Sequence, residues 1–267
     1  MKNLSIVLPT INESQNLKVL IPKIIKELSH INNLLFEIII MDDHSTDDSR
    51  QVVLNLNKKF KNIRFISRFN TPSLPMSIYE GIEKARYDYV MWLDADGSMP
   101  ASDVKKLVKT QIKNPEAVII GSRFVDGGGY KGVTSNENKL LITSIKNIYN
   151  SEDSILAVFL SRYFNVFLSK IIGTNVKDIT SGFIIGKKAY FNKKSFSEAS
   201  YGDYFIHLIK DLDKQKIDFI EVGYICLTRS YGVSKTGTYY FKLIKRSIPY
   251  IKAVFTNRNS YDKNSRR

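Results

Sequence analysis

Asp94 and Asp96 are the pair of residues whose types and spacing most directly predict chemistry in this sequence. One residue separates them, and they follow an apolar run at residues 89–93 that has the composition of a buried strand. In a turn, both carboxylates can reach one cation, and Mg²⁺ or Mn²⁺ held there would neutralise the charge that develops on a departing diphosphate. The alternative is a capped turn before the next helix. The pair predicts a divalent-metal site.

Two more acidic clusters follow apolar runs. Asp42 and Asp43 come directly after residues 37–41, and Glu13 follows a run at residues 4–8 by a short polar stretch. Acids near a helix start are also favoured by the helix dipole, so capping is the alternative interpretation. The functional interpretation is nucleoside recognition, in which Asp42 accepts hydrogen bonds from the base or the ribose. Glu13 could do the same or could serve the start of its own helix.

Five short apolar runs, rich in β-branched residues, alternate with segments of helical periodicity in the first half of the chain. They cover residues 4–8, 37–41, 63–67, 89–93 and 117–121. This alternation predicts an α/β fold with a mainly parallel sheet and crossover helices. Helix starts are predicted at Asn12 and Ser45, each with a partner at capping distance. Ligands bind beyond the carboxyl ends of such strands, so the three acidic clusters should converge on one edge.

Composition narrows the possible partners. The 267 residues include 40 Lys and Arg against 26 Asp and Glu, a formal charge of +14 that favours anionic partners. The single cysteine, Cys226, excludes an intrachain disulfide and any multi-cysteine metal site. No export signal and no run of about 20 apolar residues is evident in the sequence, which predicts a protein on the cytoplasmic side that does not span a membrane.

Six motifs occur in an order and approximate spacing that resemble family 2 glycosyltransferases, and in particular the polyprenol-phosphate (dolichol-phosphate) mannose synthase branch. They are PTINE, MDDHSTDDS, WLDADGSMP, IIGSRF, DITSGF and RSYGVSK, and the match runs from residue 4 to about residue 235. The resemblance implies a GT-A type nucleotide-sugar-binding fold and inversion at the anomeric carbon. It implies transfer of a hexose, with mannose the first choice, from GDP-mannose or a UDP-hexose to a polyprenyl phosphate.

The motifs also imply site residues. The nucleotide would be held by Pro9, Glu13, Asp42, Asp94 and Ala95, and the metal by Asp94 and Asp96. Phosphates of the donor or the acceptor would be held by Arg123, by Arg162 of the segment LSRYFN, and by Arg229 and Lys235 of the last motif. Asp94, Asp96, Arg123 and Asp203 form the implied catalytic set, with Asp203 where the family usually has Glu. The sequence departs from the family pattern at Ile11, Ser98 and His207.

The chemistry of the acceptor leaves an alternative open. A phosphate monoester is already ionised at neutral pH and needs only positioning, for which arginine is well suited, whereas a hydroxyl needs a general base. If the acceptor were a sugar hydroxyl of a growing glycan, Asp203 would be the natural base. A nucleotidyltransferase is a second alternative, although the glycine-rich basic loop expected after the first strand is missing. A nucleic-acid-binding module is disfavoured, because the acidic clusters would repel a phosphate backbone.

The chain is predicted to comprise a catalytic domain over residues 1–237, with a variable loop at about 124–150, and a basic amphipathic segment over residues 238–267. Eight basic residues and one acid lie between residues 239 and 267. An apolar stripe with helical spacing runs through Tyr240, Ile244, Ile248, Ile251 and Phe255. This pattern predicts a helix that lies on a membrane surface, with its cations near anionic headgroups. The alternative is that the stripe packs on the catalytic domain.

Overall fold

Strands and helices alternate along the first half of the chain. The computed structural model describes residues 1–130, 133–134, 155–229, 231 and 240–256, with side chains described at 1–130, 161–229, 231 and 248–256. The first strands are β1 Asn3–Thr10, β2 Leu35–Asp42, β3 Ile63–Ser67, β4 Tyr89–Trp92 and β5 Val118–Ser122, joined by α1 Ser14–Ser29, α2 Ser49–Lys59, α3 Leu74–Lys84 and α4 Ala101–Lys113. All five strands predicted from the apolar runs are confirmed, with ends that differ by at most two residues.

The second half is less regular. Its strands are β6 Gly129–Tyr130, β7 Val133–Thr134, β8 Ile184–Lys187, β9 Phe219–Gly223 and β10 Ile225–Cys226, and its helices are α5 Ile155–Ile172, α6 Lys193–Ser197, α7 Tyr204–Lys214 and α8 Tyr240–Phe255. Most of the predicted variable loop, and Lys235, lie outside the described residues.

The central sheet has seven strands in the order β3-β2-β1-β4-β8-β5-β9. Every neighbouring pair is parallel except those of β8, which is antiparallel to both β4 and β5. The predicted mainly parallel sheet is therefore confirmed, while β8 is a strand that the sequence analysis did not assign. The chain runs outward from β1 to β3 and then returns to β4 on the other side of β1. This reversal makes the carboxyl ends of β1 and β4 the expected ligand site.

Both faces of the sheet are covered by apolar side chains. Along β1, Leu4, Ile6 and Leu8 face a cluster shared with α1 and α4, whereas Val7 faces a second cluster shared with α3 and α7. A strand with both faces buried reads as a continuous apolar run, which is why its pattern was recognisable in the sequence. The sheet is thereby a rigid base for the loops that follow its strands.

The predicted capping roles of Asn12 and Ser45 are wrong. Asn12 has φ 56°, and α1 begins two residues later. Its backbone N–H donates to Ser45 Oγ at 2.8 Å, and its side-chain oxygen accepts the N–H of Thr46 at 2.7 Å. Asp47, which follows β2, instead accepts a hydrogen bond from the first turn of α1, donated by the Ser14 N–H at 3.0 Å. The loops after β1 and β2 thus bind each other, and this interaction between loops replaces the expected local capping.

The helix α8 runs through Pro249 and packs on α7. Ala253 and Val254 are buried, and the ammonium of Lys210 in α7 donates to three carbonyls at the end of α8, at distances of 2.8 to 3.1 Å. None of the described helices is both long and apolar enough to span a membrane.

Candidate active site

A cleft of about 260 Å³ opens at the carboxyl ends of β1 and β4. Six of the predicted site residues line it, namely Pro9, Glu13, Asp94, Ala95, Asp96 and Arg229. They come from the end of β1 and the loop after it, from the loop after β4 and from the segment after β10, which are distant in sequence. The topology therefore brings together the residues of three separate motifs.

The two predicted metal ligands lie in a tight turn after β4. Asp96 is buried, and its Oδ1 accepts the N–H of Ser98 at 2.9 Å across Gly97, which has φ 78°. Its Oδ2 pairs with Arg229 Nε at 3.0 Å. A left-handed residue that favours glycine is needed to close this turn. The turn fixes the Asp96 carboxylate against the cleft, while Asp94 stays partly exposed to it.

Burial and the neighbouring charge of Asp96 raise the pKa of Asp94 to about 7, against the opposing effect of Arg229. A divalent cation bound between two carboxylates that repel each other would stabilise the charged form of both. Among the described residues, no group of three His, Cys, Asp or Glu side chains could hold a metal. Mg²⁺ is commonly held by one or two carboxylates together with substrate phosphates, so the pair fits a cation that arrives with a diphosphate.

The raised pKa of Asp94 predicts that metal binding depends on pH. A metal ligand must be deprotonated, so Mn²⁺ affinity should fall as the pH drops through about 7, by about tenfold per pH unit well below the pKa. Titration of Mn²⁺ at a series of pH values, followed by electron paramagnetic resonance, measures this. An Asp94→Asn variant should bind Mn²⁺ weakly at every pH. An affinity that stays constant from pH 5 to 8, roughly two units below this pKa and one above it, would contradict the assignment.

The acids after β2 have different surroundings. Asp43 lines the cleft, pairs with Arg68 at 2.5 Å and accepts the N–H of Ser73 at 2.7 Å. Asp42 is buried, and its Oδ1 has no hydrogen-bond partner within the described part of the chain. A buried carboxylate oxygen without a donor is costly, so it suits a donor supplied by a ligand. Nucleoside recognition by Asp42 would require such an acceptor and stays a prediction, because Asp42 does not itself line the cleft.

Arg68 is a site residue that the sequence analysis missed. Its side chain is 1% exposed, and besides Asp43 it binds Glu80 of α3 through two N–H donors, at 3.1 and 2.9 Å. It therefore fixes one wall of the cleft. Its position directly after β3 is the signal that could have identified it, because residues after strands lie at the ligand edge.

Arg123 does not line the cleft. Its guanidinium binds both carboxylate oxygens of Asp178, at 2.8 and 2.6 Å, and also donates to Thr180 and Tyr130. The motifs IIGSRF and DITSGF thus meet through a buried bidentate ion pair. These contacts occupy most of the donors of Arg123, which gives it a supporting role, and its binding of a substrate phosphate stays a prediction.

Two other predicted residues lie outside the cleft. Arg162 is exposed on α5, on the surface of the protein. Asp203 is 3% exposed, and its carboxylate accepts the backbone N–H groups of Ser200 and Tyr201 at 2.7 to 3.2 Å. Ser200 and Tyr201 themselves line the cleft, and the sequence analysis had singled out neither. Asp203 therefore supports a wall of the site.

Comparison with known proteins identifies relatives for most of the chain. The sequence model described as Glycosyl transferase family 2 matches residues 5–198. A dolichol-phosphate mannosyltransferase of Pyrococcus furiosus is 33% identical over 124 residues, which is 46% of this chain and 34% of the relative. A GalNAc(5)-diNAcBac-PP-undecaprenol beta-1,3-glucosyltransferase of Campylobacter jejuni is 26% identical over 204 residues, 76% of this chain and 57% of the relative. The chain therefore spans about a third to just over half of the length of these relatives.

A solved structure supports the fold. Glucosyl-3-phosphoglycerate synthase from Mycobacterium tuberculosis, in complex with Mn²⁺, uridine diphosphate and phosphoglyceric acid, aligns with a TM-score of 0.61. The alignment covers 95% of this chain and 77% of that one, at 16% sequence identity. At this identity the likeness shows a shared GT-A type architecture.

Proposed function

This chain belongs to glycosyltransferase family 2, and from that premise we propose that it transfers a hexose from a nucleotide-sugar to a polyprenyl phosphate, with inversion at the anomeric carbon. The observation that carries the proposal is the Asp94–Asp96 turn, which lines the cleft at the β1/β4 reversal together with Arg229. The name of the Pyrococcus relative, a dolichol-phosphate mannosyltransferase, supports a lipid phosphate as the acceptor and makes mannose the first sugar to test.

The residues that line the cleft and the buried acid Asp42, which does not line it, have separate roles in this proposal. Pro9, Glu13 and Asp42 would hold the nucleoside, and the unpartnered oxygen of Asp42 would accept its hydrogen bond. Asp94 and Asp96 would hold the divalent cation, Mg²⁺ or Mn²⁺, which supplies the positive charge that stabilises the departing diphosphate. Mn²⁺ and uridine diphosphate are named in the Mycobacterium structure, which supports this pairing. The guanidinium of Arg229 lies beside the same carboxylates and would contact the diphosphate oxygens.

The state of Asp203 favours a phosphate acceptor. A hydroxyl acceptor requires a base within hydrogen-bond reach of the proton it removes. The carboxylate of Asp203 is directed at the backbone of Ser200 and Tyr201. An acceptor phosphate needs positioning by cations instead, and the predicted ligands Arg162 and Lys235, like Arg123, remain candidates for that task.

We predict that Asp203→Asn lowers turnover by less than about tenfold, because the amide oxygen can still accept one backbone N–H and no proton transfer is lost. Loss of a general base typically costs about 10²- to 10⁴-fold. Steady-state kinetics with lipid phosphate measures the effect, and Asp213→Asn, which removes an exposed acid from α7, the helix that follows Asp203, is the control. A larger loss that is relieved at higher pH would instead identify a hydroxyl acceptor.

The second candidate is transfer to a sugar hydroxyl of a lipid-linked glycan. It is supported by the Campylobacter relative, whose name gives such an acceptor and whose match covers 76% of this chain. A nucleotidyltransferase differs from both in its products, because it would release pyrophosphate.

The test offers the purified protein GDP-mannose and UDP-hexoses, with either polyprenyl phosphate or a lipid-linked glycan, and Mg²⁺ or Mn²⁺. Transfer of labelled sugar to the polyprenyl phosphate, with release of nucleoside diphosphate, supports the proposal. Label on the glycan alone would favour the second candidate, and pyrophosphate release would overturn both.

A membrane surface is the partner that we propose for one exposed apolar face. The helices α5 and α8 lie side by side, with the rings of Phe164 and Tyr250 6.3 Å apart. Their outer sides expose Tyr163, Val166, Phe167 and Ile171 on α5, and Ile248, Ile251 and Phe255 on α8. Arg162, Lys170 and Lys252 are exposed on the same helices. Apolar side chains flanked by cations suit anionic lipid headgroups, and the cytoplasmic face of the membrane stays a prediction.

We predict that the double change Ile251→Ser and Phe255→Ser weakens binding to anionic vesicles by roughly tenfold or more, since each side chain loses apolar transfer energy. Co-sedimentation measures the loss, and binding by the unaltered protein should also weaken as salt rises. Leu35→Ser with Leu54→Ser, which changes two exposed apolar residues elsewhere, is the matched control. Equal losses in the two double variants would contradict this face as the contact. These point changes leave the buried residues of α8, Ala253 and Val254, in place.

A further inference from the structure

The segment from Ser200 to Asp203 forms one wall of the cleft. Ser200 and Tyr201 line it together with residues of the loops after β1 and β4, and Tyr201 is 56% exposed. Asp203 secures their backbone N–H groups, and α7 begins at the next residue. Asp203 therefore holds the backbone of this wall in a defined conformation, and Gly202 of the same segment lies against Tyr250 of α8.

Tyr250 of α8 fills the space beside Gly202. A Cβ atom built on Gly202 would overlap the Tyr250 hydroxyl oxygen and would lie 3.1 Å from the ring carbon that carries it. Burial raises the pKa of Tyr250, as do the nearby Tyr201 and Asp203. Gly202 does not have the left-handed φ that strains other residues, so the tyrosine is the specific obstacle to a side chain at this position.

The position of Tyr250 is itself fixed by α8. Phe164 of α5 packs edge-on against its ring, and Lys210 of α7 binds the carbonyls at the end of α8. A movement of α8 along or about its axis would therefore carry the tyrosine hydroxyl away from Gly202. The same short wall lies against α8 at Gly202 and lines the cleft at Ser200 and Tyr201.

We infer that Tyr250 is a positioning residue that holds the Ser200–Asp203 wall against the ligand, so that the seating of α8 determines how well the cleft binds a nucleoside diphosphate. This inference rests on the proposed function, since it takes the cleft as the nucleotide site. It adds a link between α8 and the cleft. The outer face of α8 is exposed and apolar, and its inner face supports the wall of the cleft.

The test is a double-mutant cycle on nucleotide binding. Binding of UDP and GDP with Mn²⁺ is measured by calorimetry for the wild type, Gly202→Ala, Tyr250→Phe and the double variant, and thermal unfolding is followed in parallel. Gly202→Ala should weaken binding by roughly tenfold, because its methyl group displaces the wall, and Tyr250→Phe should restore most of the affinity by removing the overlapping oxygen. The control combines Gly202→Ala with Tyr190→Phe, which removes a hydroxyl that binds Glu116 and should restore none of the nucleotide affinity.

Several outcomes would overturn the inference. Wild-type nucleotide affinity in Gly202→Ala, with or without a change in its unfolding temperature, would show that the wall does not control binding. An equal loss of affinity in Gly202→Ala and in the double variant with Tyr250→Phe would show that the two residues are not coupled. If Gly202→Ala does not fold, Tyr250→Leu is expected to weaken nucleotide binding by a similar factor, and unaltered binding by that variant would overturn the positioning role. A wild-type protein that binds neither nucleotide contradicts the proposed function and with it the inference, whereas an additive cycle in a protein that binds contradicts the inference alone.

Discussion

Asp96→Asn is expected to lower sugar transfer by roughly 10²- to 10³-fold while leaving the fold intact, which is the scale of losing one preorganised electrostatic contact to a developing charge. The amide keeps the oxygen that accepts the Ser98 N–H, so the turn at Gly97 can persist. It loses the negative charge that pairs with Arg229 and that would bind the cation in the proposed mechanism. We expect Mn²⁺ to strengthen the binding of nucleoside diphosphate to the unaltered protein and to have no such effect on the variant.

The matched control for Asp96→Asn is Asp88→Asn. Asp88 is exposed and precedes the same strand, β4, at the end opposite the cleft. It therefore reports any general effect of removing an acid from this strand. Activity and Mn²⁺ titration are measured for both variants, together with circular dichroism. Full turnover by Asp96→Asn at saturating donor, or undiminished activity of the unaltered protein in a chelator, would refute the metal role of the pair.

Asp178→Ala is expected to lower the free energy of unfolding by about 3–5 kcal/mol, the scale found when one partner of a buried ion pair is removed. Asp178 is fully buried and accepts three hydrogen bonds from Arg123, two from its guanidinium and one from its backbone N–H. The Arg123 side chain is 13% exposed. Without the carboxylate, the guanidinium is left buried without its ionic partner. Urea unfolding measures the loss, and the double variant with Arg123→Ala should be less destabilised than the sum of the single changes.

The same variants test the substrate role implied for Arg123. If its guanidinium bound the acceptor phosphate, Arg123→Ala would raise the Michaelis constant for the lipid phosphate more than that for the nucleotide-sugar. If Arg123 only supports the fold, Arg123→Ala should lower the free energy of unfolding and should change the Michaelis constants of both substrates equally. Arg162→Ala offers the comparison, because Arg162 is exposed and its replacement should leave stability unchanged. Additive stability losses for Asp178→Ala and Arg123→Ala would contradict the ion pair as the stabilising contact.

The strands and the acidic turn were predictable because their signals are local. A buried parallel strand is a continuous apolar run, and Asp94 and Asp96 stand directly after one. The pairing of Asn12 with Thr46 and that of Arg123 with Asp178 were not predictable, since the partners lie more than 30 residues apart and only the folded sheet brings them close. A capping pattern or an arginine after a strand is compatible with several partners. The choice among them is made by packing that the sequence does not display.

The antiparallel strand β8 determines when this protein can complete its fold during synthesis. Although β4 and β5 are consecutive in the chain, they do not pair, because Ile184–Lys187 lies between them. A nascent chain that has emerged only as far as β5 must hold its sheet in two pieces, and contacts between residues so distant in sequence form slowly. Since β4 carries the Asp94–Asp96 turn, the cleft gains its final shape only after the later strand has been inserted. We therefore expect the cleft to be complete only after the second half of the chain has been synthesised.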